Sequence, residues 1–484
     1  MGDPKGFLKI NRQPAQYRPV QERVRDYREV IVLRADERSQ EQASRCMDCS
    51  TPFCHWGCPV GNLIPEWNDL VFKGNWERAV ELLQATNNFP EFTGRLCPAL
   101  CEFSCVLGIN DAPVTIRENE LAIIEHAFDA GLIKPTPPQV RTGKKVAVVG
   151  SGPAGLACAD QLNKAGHSVV VFERDPEVGG ILRYGIPDFK LEKRIIDRRI
   201  KLLEAEGIEF RTGVNAGVDY EASKLKQGFE AVCLAGGSRQ PRDLKIDGRY
   251  LRGIYFAMDY LTQANKRVKG ETIPADEAID AGDKNVVVVG GGDTGADCIG
   301  VANRQGAAQV VQIELLPQPP ESRTEAMPWP KFPTIMKTSS SHEEGGQREW
   351  SVLTKKLIGE DGWVKKFSCV RVGFPVHDER GFPVISSMAE IPGTEFEIEA
   401  DMVILAVGFA HPEHNGLLQG LGVELDARGN VKTDKSYMTS VEGVFSAGDM
   451  RRGQSLIVWA IAEGRRSARC IDQYLMGETC LPAV

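Results

Sequence analysis

Seven of the chain's 13 cysteines lie between Cys46 and Cys105. Cys46, Cys49, Cys54 and Cys58 read C-x2-C-x4-C-x3-C with Pro59 after the last, and Cys97, Cys101 and Cys105 read C-x3-C-x3-C. Thiolates at such spacing wrap soft metal clusters, and in ferredoxin-type pairs the Cys before a Pro serves the second cluster. Seven thiolates are one short of two sets of four, so an eighth ligand has to be another side-chain type. Zinc is the alternative, although only the first pair has the usual zinc spacing and His55 is the one imidazole near it. The other cysteines (Cys158, Cys233, Cys298, Cys369, Cys470, Cys480) are scattered and read as core residues. An odd, clustered set argues against a disulfide framework. With no C-x-x-C in either nucleotide segment described next, a dithiol relay is not expected.

Two glycine loops offer a second chemistry. Gly150, Gly152 and Gly155 form G-x-G-x-x-G around Pro153 and Ala154, between an apolar run and a helical pattern. Such a loop makes a tight turn, lets the backbone approach a pyrophosphate and presents helix N–H groups to it. Glu173 follows Gly150 by 23 residues, where a carboxylate accepts from ribose hydroxyls. Gly290, Gly292 and Gly295, with Asp293 and Thr294, repeat the device, and Glu314 follows Gly290 by 24 residues. Two such sites suggest one tightly held flavin and one exchangeable nicotinamide cofactor. A carboxylate at Glu314 favours the 2′-OH of NADH over the 2′-phosphate of NADPH. Arg304 either offsets this by pairing with a phosphate or is a solvated helix-terminal charge. Near the C-terminus, VFSAGDM places Gly448 and Asp449 after a strand, and a helix expected to carry Gln454, Ser455 and Leu456 offers N–H groups to a reduced flavin. Asp449 is otherwise a simple helix cap.

The elements that position these residues are legible. The segments 144–174 and 284–315 each read strand, Gly-rich turn, helix, strand, which is a βαβ unit, so the fold class is α/β with two Rossmann-like domains. Residues 1–140 are expected to be a separate helical region, with helices at Trp76–Gln84 and Thr115–Ala130, followed by a Pro-rich linker at 134–143. Residues 317–350 read as a long surface excursion. The charged stretch Arg18–Arg28 is either a docking surface or a solvated helix face. A net charge of −8 gives no support to nucleic-acid or anionic-membrane binding. Met1–Asn11 lacks a hydrophobic signal core and no apolar run approaches about 20 residues, so a cytoplasmic protein is expected.

The motifs RCMDCSTPFCHWGCPVGN, RLCPALCEFSC, VVGSGPAGLA, VGGILRYGIP, VVGGGDTGADC and FSAGDMRRGQSLIVWAIAEGR together resemble the small (β) subunit of glutamate synthase. The superfamily also includes the N-terminal half of dihydropyrimidine dehydrogenase. The resemblance implies an N-terminal domain (1–140) with two [4Fe–4S] clusters. It also implies an FAD domain in two parts (144–283 and 406–484) around an inserted NAD(P)H domain (284–405). By position, Cys46, Cys49, Cys54 and Cys105 would hold one cluster, and Cys58, Cys97, Cys101 and a non-Cys ligand the other. That ligand is Glu120 by position, with Glu118 as the nearby fallback. Gly180, Ile181 and Leu182 would lie along the flavin. The implied partner is a large (α) subunit carrying FMN, which forms L-glutamate from L-glutamine and 2-oxoglutarate. NADPH-using members carry Arg where this chain has Glu314-Leu315-Leu316, which again favours NADH. The rival readings are a standalone NAD(P)H:ferredoxin-type oxidoreductase and a non-enzymatic, cluster-bearing redox sensor.

Overall fold

A computed structural model describes residues 3–379 and 381–483. The helical N-terminal region forms as expected. Asn75 caps the helix Trp76–Thr86 by accepting from the Arg78 amide at 3.3 Å, and Trp76, Ala79, Val80 and Leu83 fall on its buried face at helical spacing. These side chains pack with the helices Ile64–Phe72 and Ile116–Asp129 in one core that also contains Cys54, Cys101 and Cys105.

The first βαβ unit builds a five-stranded parallel sheet, in the order Val444–Ser446, Ala231–Leu234, Lys145–Val149, Ser168–Phe172, Glu209–Arg211. The helices Pro153–Lys164 and Ile457–Met476 cover one face at close range. A side chain at Gly464 would meet the Ala154 carbonyl at 2.2 Å. The second unit builds another parallel sheet, in the order Gln347–Glu349, Gln309–Ile313, Asn285–Val289, Met402–Leu405, Ile254–Phe256. An antiparallel sheet of Val352–Glu360, Trp363–Gly373, Ala389–Glu390 and Phe396–Glu399 packs against it.

Because Ile254–Phe256 is an edge strand of the second sheet, that domain begins before the expected boundary at 284. The helix Ala257–Val268 packs in its core as well. The crossings between the two sheets run side by side, Gln240–Pro241 pairing antiparallel with Phe409–His411.

Arg18–Arg28 is not a uniformly solvated helix: Arg23 is buried, while Gln21, Glu22, Arg25 and Arg28 stay exposed. The segment straps the N-terminal domain to the second nucleotide domain. Arg23 is 2% exposed. Its Nε donates to Glu344 Oε1 at 2.7 Å and its Nη2 to the Ser340 carbonyl at 2.8 Å. The Val30 amide donates to the Phe189 carbonyl at 3.0 Å, and Val30 is buried in the second domain's core.

The excursion at 317–350 is docked on the N-terminal domain. Trp329 packs on Phe53 with ring centroids 4.6 Å apart, and the Ser104 hydroxyl donates to the Pro330 carbonyl at 2.8 Å.

The N-terminal and first nucleotide domains share a core, in which Val60, Phe89, Phe92 and Cys97 pack with Leu156, Ile195 and Ile461. Buried ion pairs cross the same boundary. Arg199 grips Glu91 with both Nε and Nη2, the latter at 3.0 Å. Arg198 likewise grips Glu125 across it, and within the N-terminal domain Arg95 donates to Glu125 and to Glu29, each at 2.7 Å. Removing one partner of such a pair strands the other charge without water. Arg199→Met is therefore expected to cost about 3–5 kcal/mol of stability. The double substitution Arg199→Met/Glu91→Leu should recover most of it, as read by urea unfolding.

Candidate functional site

The first loop has the geometry its spacing requires. Gly150 adopts φ +104°, and a Cβ there would lie 2.5 Å from the Ala235 carbonyl. A Cβ on Gly155 would lie 1.9 Å from the Gly150 carbonyl, so strand and helix can approach only with glycine at that position. Nothing stands within 4 Å of where a Cβ on Gly152 would be, which leaves room for a phosphate at the helix N-terminus. Pro153 is the first helical residue, where no N–H is needed.

Glu173 is 4% exposed and accepts from the Ser151 amide at 3.0 Å, the Asp175 amide at 2.9 Å and the Ser151 hydroxyl. Gly180 adopts φ +51° against Gly152, with Ile181 half exposed and Leu182 buried behind it. Gly448, at φ +68°, lets the chain pass Ala154. Burial pushes the Asp449 carboxyl up to about 6, and its Oδ1 accepts from the Ser455 hydroxyl at 2.7 Å.

Two expectations here are corrected. Gln454, Ser455 and Leu456 precede the long helix, which starts at Ile457. Gln454 turns to the domain crossing, where its Oε1 accepts from the Phe409 amide at 3.0 Å.

The second loop repeats the first. Gly290 adopts φ +118°, a Cβ on Gly295 would lie 2.3 Å from the Gly290 carbonyl, and the space beside Gly292 is open. Glu314 accepts from the Gly291 amide at 2.6 Å and the Leu316 amide at 2.9 Å. Arg304 is corrected. Its guanidinium is fully covered, donates to Glu344 at 3.1 Å and to the Asp26 carbonyl at 2.9 Å, and stacks 3.8 Å from the Phe189 ring centroid. It anchors the N-terminal strap and does not reach the loop.

Both loops open into one cleft of about 1630 Å³. It is lined by Gly150, Gly152, Glu173, Gly180, Asp449 and Ser455 from one domain and by Asp293 and Thr294 from the other. Leu96, Cys97 and Pro98 of the N-terminal domain also line it, as do Lys337–Ser340 of the excursion. Sequence reading missed three contributions. Nothing in their spacing marks Lys337–Ser340 or the strap, because each reaches its place through tertiary docking. Asp297, the third, carries a weak signal as a carboxylate on the first turns of the nucleotide helix. It lines the cleft, and burial pushes it up to about 7.

The cysteines gather in two groups. Cys46, Cys49, Cys54 and Cys105 line one small pocket closed by Phe53, Ile64, Leu107 and Ile116. Burial pushes Cys46 up to about 12 and raises Cys49 and Cys54 as well. Thiols held in such surroundings need a cationic core to ionise, and four sulfur donors in an apolar shell fit an iron–sulfur cluster.

Cys58, Cys97 and Cys101 form the second group, with Glu120 close enough that its charge raises all three beyond the effect of burial. Glu120 is buried and held by Asn87 Nδ2 at 3.1 Å, Asn62 Nδ2 at 3.3 Å and the Thr93 hydroxyl. Burial pushes its carboxyl up to about 7. Glu118 turns away to Arg117, at 3.0 Å. The three thiols and the Glu120 carboxyl thus lie near one another in the buried interior.

The family model for dihydropyrimidine dehydrogenase domain II, 4Fe-4S cluster, matches residues 23–132. The model for pyridine nucleotide-disulphide oxidoreductase matches residues 144–329 and 377–464. FprA of Mycobacterium tuberculosis, in a structure with NADPH, shares the nucleotide-domain fold. Its TM-score is 0.53 at 18% identity, over 69% of this chain and 85% of that one. Fold and family models define the class, an oxidoreductase with FAD and NAD(P) domains behind an N-terminal 4Fe-4S domain.

The chain is 54% identical to the glutamate synthase [NADPH] small chain of Mycobacterium tuberculosis, over 100% of this chain and 98% of that one. Against the corresponding Bacillus subtilis chain it is 47% identical, over the whole of both. It is also 47% identical to the glutamate synthase [NADH] of Schizosaccharomyces pombe, over 99% of this chain and 23% of that protein. The chain belongs to the glutamate synthase small-chain family.

The two glycines of the first loop separate packing from binding. Gly155→Ala is expected to destabilise the fold and abolish flavin retention. Gly152→Ala should fold normally yet lose most bound flavin, as its methyl group meets only the space meant for phosphate. Flavin absorbance per chain together with thermal unfolding checks both.

Asp297 predicts a pH effect. Its ordinary pKa is about 3.9, so the unfolded chain releases this proton far below the folded one. Stability then falls as pH rises between about 4 and 7. Asp297→Asn should change little at about pH 3.5 and add stability on the order of a few kcal/mol at about pH 8, read by urea unfolding at each pH.

Proposed function

We propose that this chain is the electron-input subunit of a glutamate synthase. It oxidises a reduced nicotinamide dinucleotide, NADH in preference, and delivers electrons through FAD and two [4Fe–4S] clusters. The receiving partner is a large FMN-bearing subunit that makes L-glutamate from L-glutamine and 2-oxoglutarate. The observation that carries this reading is the single cleft lined by both nucleotide domains and by Cys97.

When bound, FAD and the clusters supply the redox chemistry, a ring that accepts a hydride and iron centres that pass electrons singly. The protein supplies position. The Gly150 loop and Glu173 would hold one dinucleotide, and Gly180 and Asp449 line the same cleft. The Gly290 loop holds the other, and Glu314 keeps a carboxylate at the end of its strand. The first turn of the helix Ile457–Met476 lies on the cleft wall, where its free N–H groups favour negative charge. The ion pairs Arg199–Glu91 and Arg198–Glu125 fix the N-terminal domain so that Cys97 lines the cleft. The group of Cys46, Cys49, Cys54 and Cys105, whose pocket is separate, is then the outward station.

An anaerobic titration with NADH and with NADPH tests the reading on protein assayed for iron and sulfide. Bleaching of flavin and then of cluster absorbance is expected, with about eight irons per chain if both clusters are of the four-iron type. A flavin that neither nucleotide reduces would sink the reading. Glu314→Ala should narrow the preference for NADH by about tenfold, since a carboxylate–ribose hydrogen bond is worth about 1.5–3 kcal/mol. Co-purification with the large chain checks the partner.

A further inference from the structure

The excursion at 317–350 reaches the cleft at Lys337. This residue lines it together with Asp293 and Thr294 at the start of the second nucleotide helix. Among the described residues the Lys337 ammonium forms no salt bridge. It stands 4.3 Å above the ring centroid of Phe332, and burial lowers its pKa although the Asp293 charge acts the other way. Its backbone is pinned. Arg348 Nη2 donates to the Lys337 carbonyl at 3.0 Å, and the Met336 amide donates to the Pro320 carbonyl at 2.8 Å. Phe332 in turn packs edge-on against Phe103 of the N-terminal domain, at 5.0 Å.

We propose that Lys337 binds the pyrophosphate of the nicotinamide dinucleotide, as a cationic clamp facing the Gly290–Gly295 loop. The proposal rests on reading that loop as the nicotinamide-dinucleotide site. The loop and its helix present N–H groups to a phosphate but no full positive charge, and Arg304 is buried in another ion pair. Asp293 adds a negative charge to the same turn. A dianionic pyrophosphate there needs a counter-charge, and Lys337 is a cation on the cleft wall that makes no salt bridge, although the Asp293 charge reaches it. Its ring support and pinned backbone hold the ammonium in place before the ligand arrives, which limits the side-chain entropy lost on binding.

The test uses the full chain loaded with FAD, with ADP-ribose as the probe because it carries the pyrophosphate and lacks the reacting ring. Calorimetric dissociation constants are compared for wild type, Lys337→Met, Lys337→Arg and Phe332→Leu. The Met variant is expected to bind about tenfold more weakly or worse, and the Arg variant to stay within about threefold of wild type. Phe332→Leu should weaken binding about threefold by removing the ring beneath the ammonium. The NADH concentration that gives half-maximal flavin reduction should rise in Lys337→Met by about the same factor as the ADP-ribose dissociation constant. An unchanged ADP-ribose affinity in the Met variant overturns the proposal, as does an Arg variant as weak as Met. Wild-type flavin that no nicotinamide dinucleotide reduces would instead sink the underlying reading of the site.

Discussion

The charge pairs buried between the N-terminal domain and the first nucleotide domain set the geometry on which everything else rests. Glu91 is fully buried and Arg199 is 6% exposed. Neither charge tolerates that environment alone, and a bidentate guanidinium–carboxylate pair has a single good arrangement. The ion pairs thus select one pose. The selected pose puts Cys97 on the wall of the nucleotide cleft.

The second nucleotide domain is held differently. Its two chain crossings pair as one thin ribbon, which by itself would allow the domain to swing. Arg23, Arg304 and Glu344 oppose such a swing, with all three side chains covered. The docked excursion makes a third tie, through Trp329 and Phe332. Three elements distant in sequence thus turn a hinged domain into a fixed one. The opposing glycine loops then face one shared cleft.

Much of this was legible in the residues. A glycine loop followed by a carboxylate some 23 residues later leaves little freedom, and both loops have the predicted close approaches and open phosphate spaces. The cysteine spacing marked the runs Cys46–Cys58 and Cys97–Cys105, whereas the structure gathers Cys105 with Cys46, Cys49 and Cys54. What sequence could not give depends on partners far along the chain. Arg304 reads as a nucleotide-binding candidate until Glu344 is seen beside it. Arg18–Arg28 reads as a charged surface until Arg23 is found buried. The early start of the second domain was hidden because Ile254–Phe256 is only three residues long and pairs with Met402–Leu405. Periodicity reports local order, and each of these features is a long-range contact.

The strap has a consequence for biosynthesis. Arg23 and the carboxylate that neutralises it, Glu344, are 321 positions apart. On the ribosome the amino-terminal segment emerges early, while its seat is completed only after most of the polypeptide has been made. Contacts of such separation form late, since a large loop must close before they contribute. The end translated first is therefore fastened last.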